Sequence, residues 1–495
     1  MRAFIKLFPF FVLCLAAFFR LSDLDKYFGF YGDQGQDLLA VNRWLDGGSI
    51  PTVGILTSIG GFHMPPLYYY LIAPFVLLFG NDPISPVYLF SLSGLILIPL
   101  TYIFLLKFAG FNAAFLGSLL IAVSPHIIFI SRGAYSPNLQ IFCSVALLFS
   151  LLEFFKTGKY FFIFLTYFFI GMGLQFHYTF LSNLSVVTLL VLIFKREALF
   201  KPRFFMTSVL GFFTPLIPFL IGQIFLDFSD LKNILIFLTH PSPQTGFIFP
   251  DTLIDRLTFP FLIYFQTDQL PWILNFLVQP FLLIIFLGSF IISFTKNYLN
   301  YFTKIVITFF ILGALHAIFA KLKFWWWYND SYSISALFII TILISYLYQY
   351  AKIRFLWMII FGIFVSWSFL SLPNVYQIGK SAQASKEITD IIVSDINNKP
   401  TLEKSMGIHA IHIVSGGEAF EYRYLLEKAG INTFSSSSIE DTDYIVVEKK
   451  DILPAKFNFD YKKVKLILIK NLYINDHSTI VKAAEIYRVS NATGK

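Results

Sequence analysis

PPLYYYLIAPFVLLFG, residues 65–80, is apolar enough to enter a bilayer, yet it opens on two prolines and runs for only about 16 residues. Crossing about 30 Å of hydrocarbon as a helix takes roughly 20 apolar residues. Whether this stretch crosses decides the side on which every later loop lies. The candidate spans around it are 4–21, 85–106, 111–130, 138–155, 160–175, 178–194, 204–226, 273–294, 303–320, 331–350 and 354–372. Suppose residues 65–80 do not cross and Arg2 and Lys6 lie inside. Then Lys107, Lys156, Lys159, the group Lys195, Arg196, Lys201 and Arg203, and Lys296, Lys304, Lys352 and Arg354 are all cytoplasmic. If they do cross, every one of these loops is outside, against the positive-inside tendency. The stretch therefore reads as a short interfacial or re-entrant helix beside about eleven crossings.

The composition requires a membrane. Of 495 residues, 57% are hydrophobic and 13% charged, against about 25% charged in ordinary globular chains. The net charge of +8 is not gathered into a basic face; it falls in short loops between apolar runs, which excludes a nucleic-acid partner. The two cysteines, Cys14 and Cys143, lie in apolar segments and imply neither a disulfide framework nor a metal site. No small-residue cleavage site follows the first apolar run, so it reads as a retained signal anchor in the cell membrane.

This threading puts four features on the extracytoplasmic face: loop 22–84, the turn SRGAYSPN at 131–138, loop 227–272, and everything after about 373. His63, His126, His177, His240 and His316 also fall at or near that face, which marks it as the polar side. From residue 373 the charge density rises abruptly. SKEITDIIVSDINNK reads as an amphipathic helix, IHAIHIVS as a strand, FEYRYLLEKAG as a helix closed by its glycine, and TDYIVVEKK as a strand. The expected fold is thus a polytopic α-helical domain, residues 1–372, followed by a small extracytoplasmic α/β domain, 373–495. That second domain carries no glycine-rich phosphate loop or catalytic motif, and a structural or acceptor-docking role fits it.

In the first of these loops, FYGDQGQDLLAVNRWLDGG (30–48) places Asp33 and Asp37 close to the end of a membrane span. Leu38, Leu39, Val41, Trp44 and Leu45 give the run after Asp33 the amphipathicity of a helix lying on a membrane surface. Asp33 is expected just before this helix, near its N-terminal end, where the helix dipole favours a carboxylate; equally, aspartate is an ordinary capping residue there. His63 precedes Pro65–Pro66, which set a sharp entry into a helix whose tyrosines suit headgroup level. Arg132 sits in the SRGAYSPN turn, and its guanidinium is shaped for a bidentate grip on phosphate.

Taken in order, Asp-x-Gly, then H-x-P-P-L-Y-Y and F-G, then S-R after a later span resemble the membrane glycosyltransferases of the GT-C fold. The resemblance is to the family-39-like group, which includes protein O-mannosyltransferases and lipid A aminoarabinose transferases. It covers residues 25–215 and extends more weakly to about 372. It implies an extracytoplasmic active site that takes a sugar from a polyprenyl-phosphate donor to a lipid, glycan or protein acceptor, with inversion at the anomeric carbon. The family's general base, which takes the proton of the acceptor hydroxyl, matches Asp33. Three departures accompany the match. Gln34 stands where the family has Glu, with Asp37 one turn on as a substitute carboxylate. Pro137–Asn138 replaces a Pro-Asp pair, which leaves a divalent cation and its ligands undetermined because such cations prefer carboxylates. Met64 replaces a phosphate-meeting Lys and leaves that contact to Arg132, His63, Lys321 or Lys323. The run from Lys323 to Tyr328 lines the lipid entrance in this reading, and His177 lines the cavity.

Two other classes compete. A lipid or oligosaccharide transporter would carry ionisable groups mid-span, and these spans are nearly free of them, Glu153 lying near a cytoplasmic end beside Lys156. A non-catalytic cell-envelope component would use the α/β domain as its working part.

Overall fold

The structure is a computed structural model that describes residues 2–24, 28–57, 60–239, 301–319, 330–347, 382–398, 405–411, 419–435, 443–447, 464–476 and 479–491, with the isolated positions 362 and 366. The chain divides into two compact units. The first takes in residues 1–22, 52–71 and 87–377, the second 23–51, 72–86 and 378–495.

The described helices, in chain order, are α1 (Arg2–Leu21), α2 (Gly32–Leu45), α3 (Leu67–Phe79), α4 (Val87–Ala109), α5 (Phe111–Val123), α6 (Pro125–Ser131), α7 (Gln140–Thr157), α8 (Tyr160–Phe176), α9 (Ser182–Lys195), α10 (Pro202–Phe213), α11 (Ile217–Phe225), α12 (Ser229–Thr239), α13 (Tyr301–Phe319), α14 (Asp330–Leu347), α15 (Ala382–Asn397) and α16 (Phe420–Lys428).

In the first unit, Val87–Ala109, Ser136–Thr157, Tyr178–Ala198 and Pro202–Phe225 are long and apolar enough to cross a bilayer, and α5 with α6 makes a fifth such segment bent by 57°. Phe10–Leu21, Tyr160–Phe176, Tyr301–His316 and Ser331–Ser345 are shorter apolar helices. The expected spans 273–294 and 354–372 lie outside the described residues, apart from positions 362 and 366. Helix α3 has 13 residues; at about 1.5 Å per residue it falls well short of a hydrocarbon core. Loop 227–272 is not loop throughout: SDLKNILIFLT at its start forms α12, with Asp230 in the first turn.

The bend between α5 and α6 has a traceable cause. Pro125 has no N–H to give the carbonyl of Ile121, and its ring forces the chain off the helix axis. Arg20, fully buried in the last turn of α1, supplies the missing donors: Nη2 to Ile121 O at 2.9 Å and Nη1 to Ala122 O at 3.0 Å. Close packing elsewhere uses small residues. A Cβ on Gly171 of α8 would lie 2.2 Å from Phe212 O, and one on Gly211 of α10 would lie 2.4 Å from Phe164 O, so these two helices meet backbone to backbone. Buried Glu153 forms its ion pair with Lys107 of α4 rather than with its neighbour Lys156.

The second unit holds β1 (Ser405–Ile411), β2 (Asn432–Ser435), β3 (Tyr444–Val447), β4 (Val464–Asp476) and β5 (Thr479–Asn491) in one sheet of order β2-β1-β3-β5-β4. β1 runs parallel to both β2 and β3, while β5 is antiparallel to β3 and β4. Ile388 and Ile392 of α15, Tyr422 and Leu426 of α16, and Tyr444, Val446 and Ile486 of the sheet form its core. The expected helices match α15 and α16, and the expected strands overlap β1 and β3. Residues 23–51 and 72–86 join this unit from far away in sequence. Ala382 N–H donates to Phe28 O, the Tyr424 hydroxyl to Asn81 O, and Lys386 pairs with Asp82 at 2.7 Å.

Candidate functional site

The residues singled out in the sequence fall in both units. In the second, Asp33 stands within the first turn of α2, not ahead of it, and is exposed, whereas Asp37 one turn on is buried. The first turn of a helix leaves its amides pointing outward and carries partial positive charge, which favours the ionised form of a carboxylate there. Gln34 is buried and its Oε1 accepts the Tyr31 N–H at 2.9 Å, so this side chain closes the helix start. The apolar face of α2 does not lie on a membrane surface: Leu38, Leu39 and Val41 are buried against protein. Gly35 sits against α16, where a Cβ would come within 2.4 Å of Glu421 N and 2.5 Å of Phe420 C. Arg43 pairs with Glu427 of α16 at 3.0 Å, and Glu427 accepts from Thr433, which in turn accepts from Arg423. The segment carrying Asp33 is thus built into the α/β unit.

In the first unit, three turns are joined into one hydrogen-bonded network. The segment before α3 forms a narrow hairpin: Gly54 N–H donates to Met64 O, Met64 N–H to Ile55 O, and Leu56 and His63 make a bridge. The Tyr178 hydroxyl donates to His63 O at 2.6 Å, and Leu67 N–H donates to Gln175 Oε1 at 3.2 Å. The Tyr68 hydroxyl reaches Ala134 O, and Ser136 Oγ reaches Phe176 O, so HMPPLYYY, SRGAYSPN and the turn QFHYT support one another.

Within that network His63 is paired. Its Nδ1 lies 3.0 Å from Asp230 Oδ1, its N–H donates to the same oxygen at 3.1 Å, and Gln223 Nε2 donates to Asp230 Oδ2 at 2.9 Å. Arg132 is 1% exposed, and Nη1 donates to Phe19 O and Ser22 O at 3.0 and 2.8 Å, at the C-terminal end of α1 where a cation complements the helix dipole. Asn138 donates to both Ile130 O and Gly133 O at 3.0 Å. Only an amide can do that; a carboxylate there would face two carbonyls with no proton to give, which accounts for Asn in the Pro-Asp position. His177 ends α8, its Nδ1 accepting the Thr179 N–H, and burial pushes its pKa down, toward the neutral ring. Lys321, Lys323 and Tyr328 lie outside the described residues. Among the described residues, no group of three His, Cys, Asp or Glu side chains is placed to hold a metal ion.

Asp230 and Gln223 were not singled out in the sequence. An Asp in the first turn of an apolar helix reads as a start signal. A lone Gln in an apolar run is the more telling mark, since a buried amide needs a partner.

No protein-family model matches the chain, and no curated protein matches it in sequence. Its fold does match. The chain is similar over 99% of its length, at 11% identity and a TM-score of 0.63, to 98% of ArnT from Cupriavidus metallidurans bound to undecaprenyl phosphate. It is also similar, over 97% of its length at 12% identity and a TM-score of 0.54, to 74% of the archaeal oligosaccharyltransferase AglB from Archaeoglobus fulgidus in complex with an inhibitory peptide and a dolichol-phosphate. Both neighbours are glycosyltransferases of the GT-C fold, and this is the fold of the present chain.

Proposed function

We propose that this GT-C chain transfers a sugar from a polyprenyl-phosphate donor to an acceptor on the extracytoplasmic side of the cell membrane. The observation that carries the reading is the near-full-length likeness, in both directions, to a structure bound to undecaprenyl phosphate. Asp33 is the general base. It is exposed on the first turn of a helix, open to an acceptor hydroxyl. It takes the acceptor's proton as the acceptor oxygen bonds the anomeric carbon, and the bond to the phosphate oxygen breaks with its electron pair leaving on the phosphate. Configuration at that carbon inverts. Asp37 stays buried behind it and shapes the site from within. The acceptor class, lipid, glycan or peptide, is set by the second unit.

Replacing Asp33 by Asn tests this. Purified in detergent and offered an undecaprenyl-phosphate sugar, Asp33→Asn should lose at least about 100-fold in transfer rate, the usual scale for a general base. Its thermal unfolding should match the parent. Unchanged transfer in a folded D33N would remove Asp33 from the chemistry. A parent chain that transports the lipid-linked sugar without transferring it would be a transporter instead.

A further inference from the structure

Helices α7 to α9 have the turns SRGAYSPN and QFHYT at one end; at the other end, turn 157–160 joins α7 to α8 and turn 195–203 joins α9 to α10. Lys159, Lys195, Arg196, Lys201 and Arg203 share these two turns with one acid, Glu197. The five cations are exposed or half-buried, and among the described residues none of them pairs with a carboxylate. Nearby Glu153 is already taken by Lys107. The two turns pack on one another: Lys195 Nζ donates to Phe154 O at 3.2 Å, and a Cβ on Gly158 would lie 3.6 Å from that nitrogen.

A bias that only sets orientation needs basic residues in these loops but no fixed seats for them. Here they have seats. The Arg203 guanidinium lies 5.1 Å from the centre of the Tyr160 ring and the Lys195 ammonium 4.7 Å from that of Phe154, and the two rings are 6.2 Å apart. Aromatic faces hold cations in place without neutralising them. Lys201 stands close enough to Lys195 for the two ammoniums to repel, so the cluster is complete only with an anion. The planar fork of Arg203 matches phosphate oxygens. Beside it Phe161, Phe200, Phe205 and Met206 are exposed and offer an apolar flank, which a small soluble anion would leave unused and an acyl chain would cover. We infer that this face binds an anionic phospholipid, with Arg203 and Lys201 on the phosphodiester of its headgroup. The charge threading expects this end at the cytoplasmic leaflet, where anionic lipid is concentrated. The inference does not depend on sugar transfer.

Native mass spectrometry of the purified full chain in neutral detergent, titrated with phosphatidylglycerol and with phosphatidylcholine, measures the binding. The parent should prefer phosphatidylglycerol by about tenfold or more, the scale of two basic side chains at an anionic surface. Arg203→Gln and Lys201→Gln should each weaken phosphatidylglycerol by about fivefold and leave phosphatidylcholine unchanged. Lys232→Gln removes the same charge from the exposed face of α12 and should bind both lipids as the parent does. Thermal unfolding checks that each variant is folded. A parent with no preference between the two lipids overturns the inference, as does parent-like affinity in folded Arg203→Gln and Lys201→Gln. An equal loss in Lys232→Gln would mean that overall charge, not this cluster, holds the lipid. Displacement of phosphatidylglycerol by millimolar inorganic phosphate would overturn the lipid in favour of a free anion.

Discussion

Several side chains in this protein do work that their residue type does not announce. Arg20 is the plainest case: an arginine at the end of an apolar helix reads as one that snorkels to the interface, yet it is fully buried and serves the Ile121 carbonyl that Pro125 leaves without a donor, together with the Ala122 carbonyl beside it at the bend. Arg20→Met should cost roughly 1–3 kcal/mol for each carbonyl left unpaired. Pro125→Ala restores an N–H at the bend, so the double variant should lose less than the two single losses added together. Thermal unfolding of the four proteins in detergent measures the coupling; strict additivity would mean that Arg20 does not compensate for the proline. Arg132 and Asn138 make the same point. Both were visible as polar residues in a turn, but which carbonyls they serve depends on a chain segment more than a hundred residues away in one case and on the turn's own closure in the other.

At the scale of elements, legibility followed periodicity. Apolar runs of the right length became helices, Gly110 and Gly158 with positive φ separate α4 from α5 and close α7, and the charged repeats of α15 and α16 gave an amphipathic pattern. The exceptions have physical reasons. Helix α12 was hidden in a stretch taken as loop because its 11 residues are too few to register as a span. The strands β4 and β5 pair with each other over 13-residue lengths, and such pairing lies in no local period. The stripe of Leu and Val on helix α2 fits a membrane surface equally well in sequence, but Leu38, Leu39 and Val41 are buried in the folded chain. The same helix meets α16 at Gly35, where the contact tolerates no side chain. Gly35→Ala should force the two helices apart at a cost of about 1–3 kcal/mol. It should also lower transfer activity more than Ala substitution at the half-buried Gln36 nearby. Equal effects at both positions would show that the close approach does not matter.

For the whole molecule, the second unit is assembled from three separate stretches, 23–51, 72–86 and 378–495. A domain that begins at residue 373 is therefore an incomplete description of it. Removing residues 378–495 would strip Tyr424 from the buried Phe30 ring and the Ala382 N–H from Phe28 O, and would leave Gly35 of α2 without α16. Apolar area uncovered there destabilises by about 25 cal/mol per Å², against a folded state that is only marginally stable. The truncated chain should aggregate on size-exclusion chromatography; a monodisperse, fully active truncation would show the unit to be dispensable.

The amino-acid sequence determined the bilayer, the apolar helices, the order of the motifs and the short helix after Pro65–Pro66. These follow from hydropathy and backbone sterics, which act over a few residues at a time. The tertiary structure decided which polar groups meet: His63 with Asp230 across 167 positions, Arg20 with the carbonyls of a distant bend, and the Asp33 helix with α16. Each of those pairings depends on desolvation, which no single segment experiences until the others close over it.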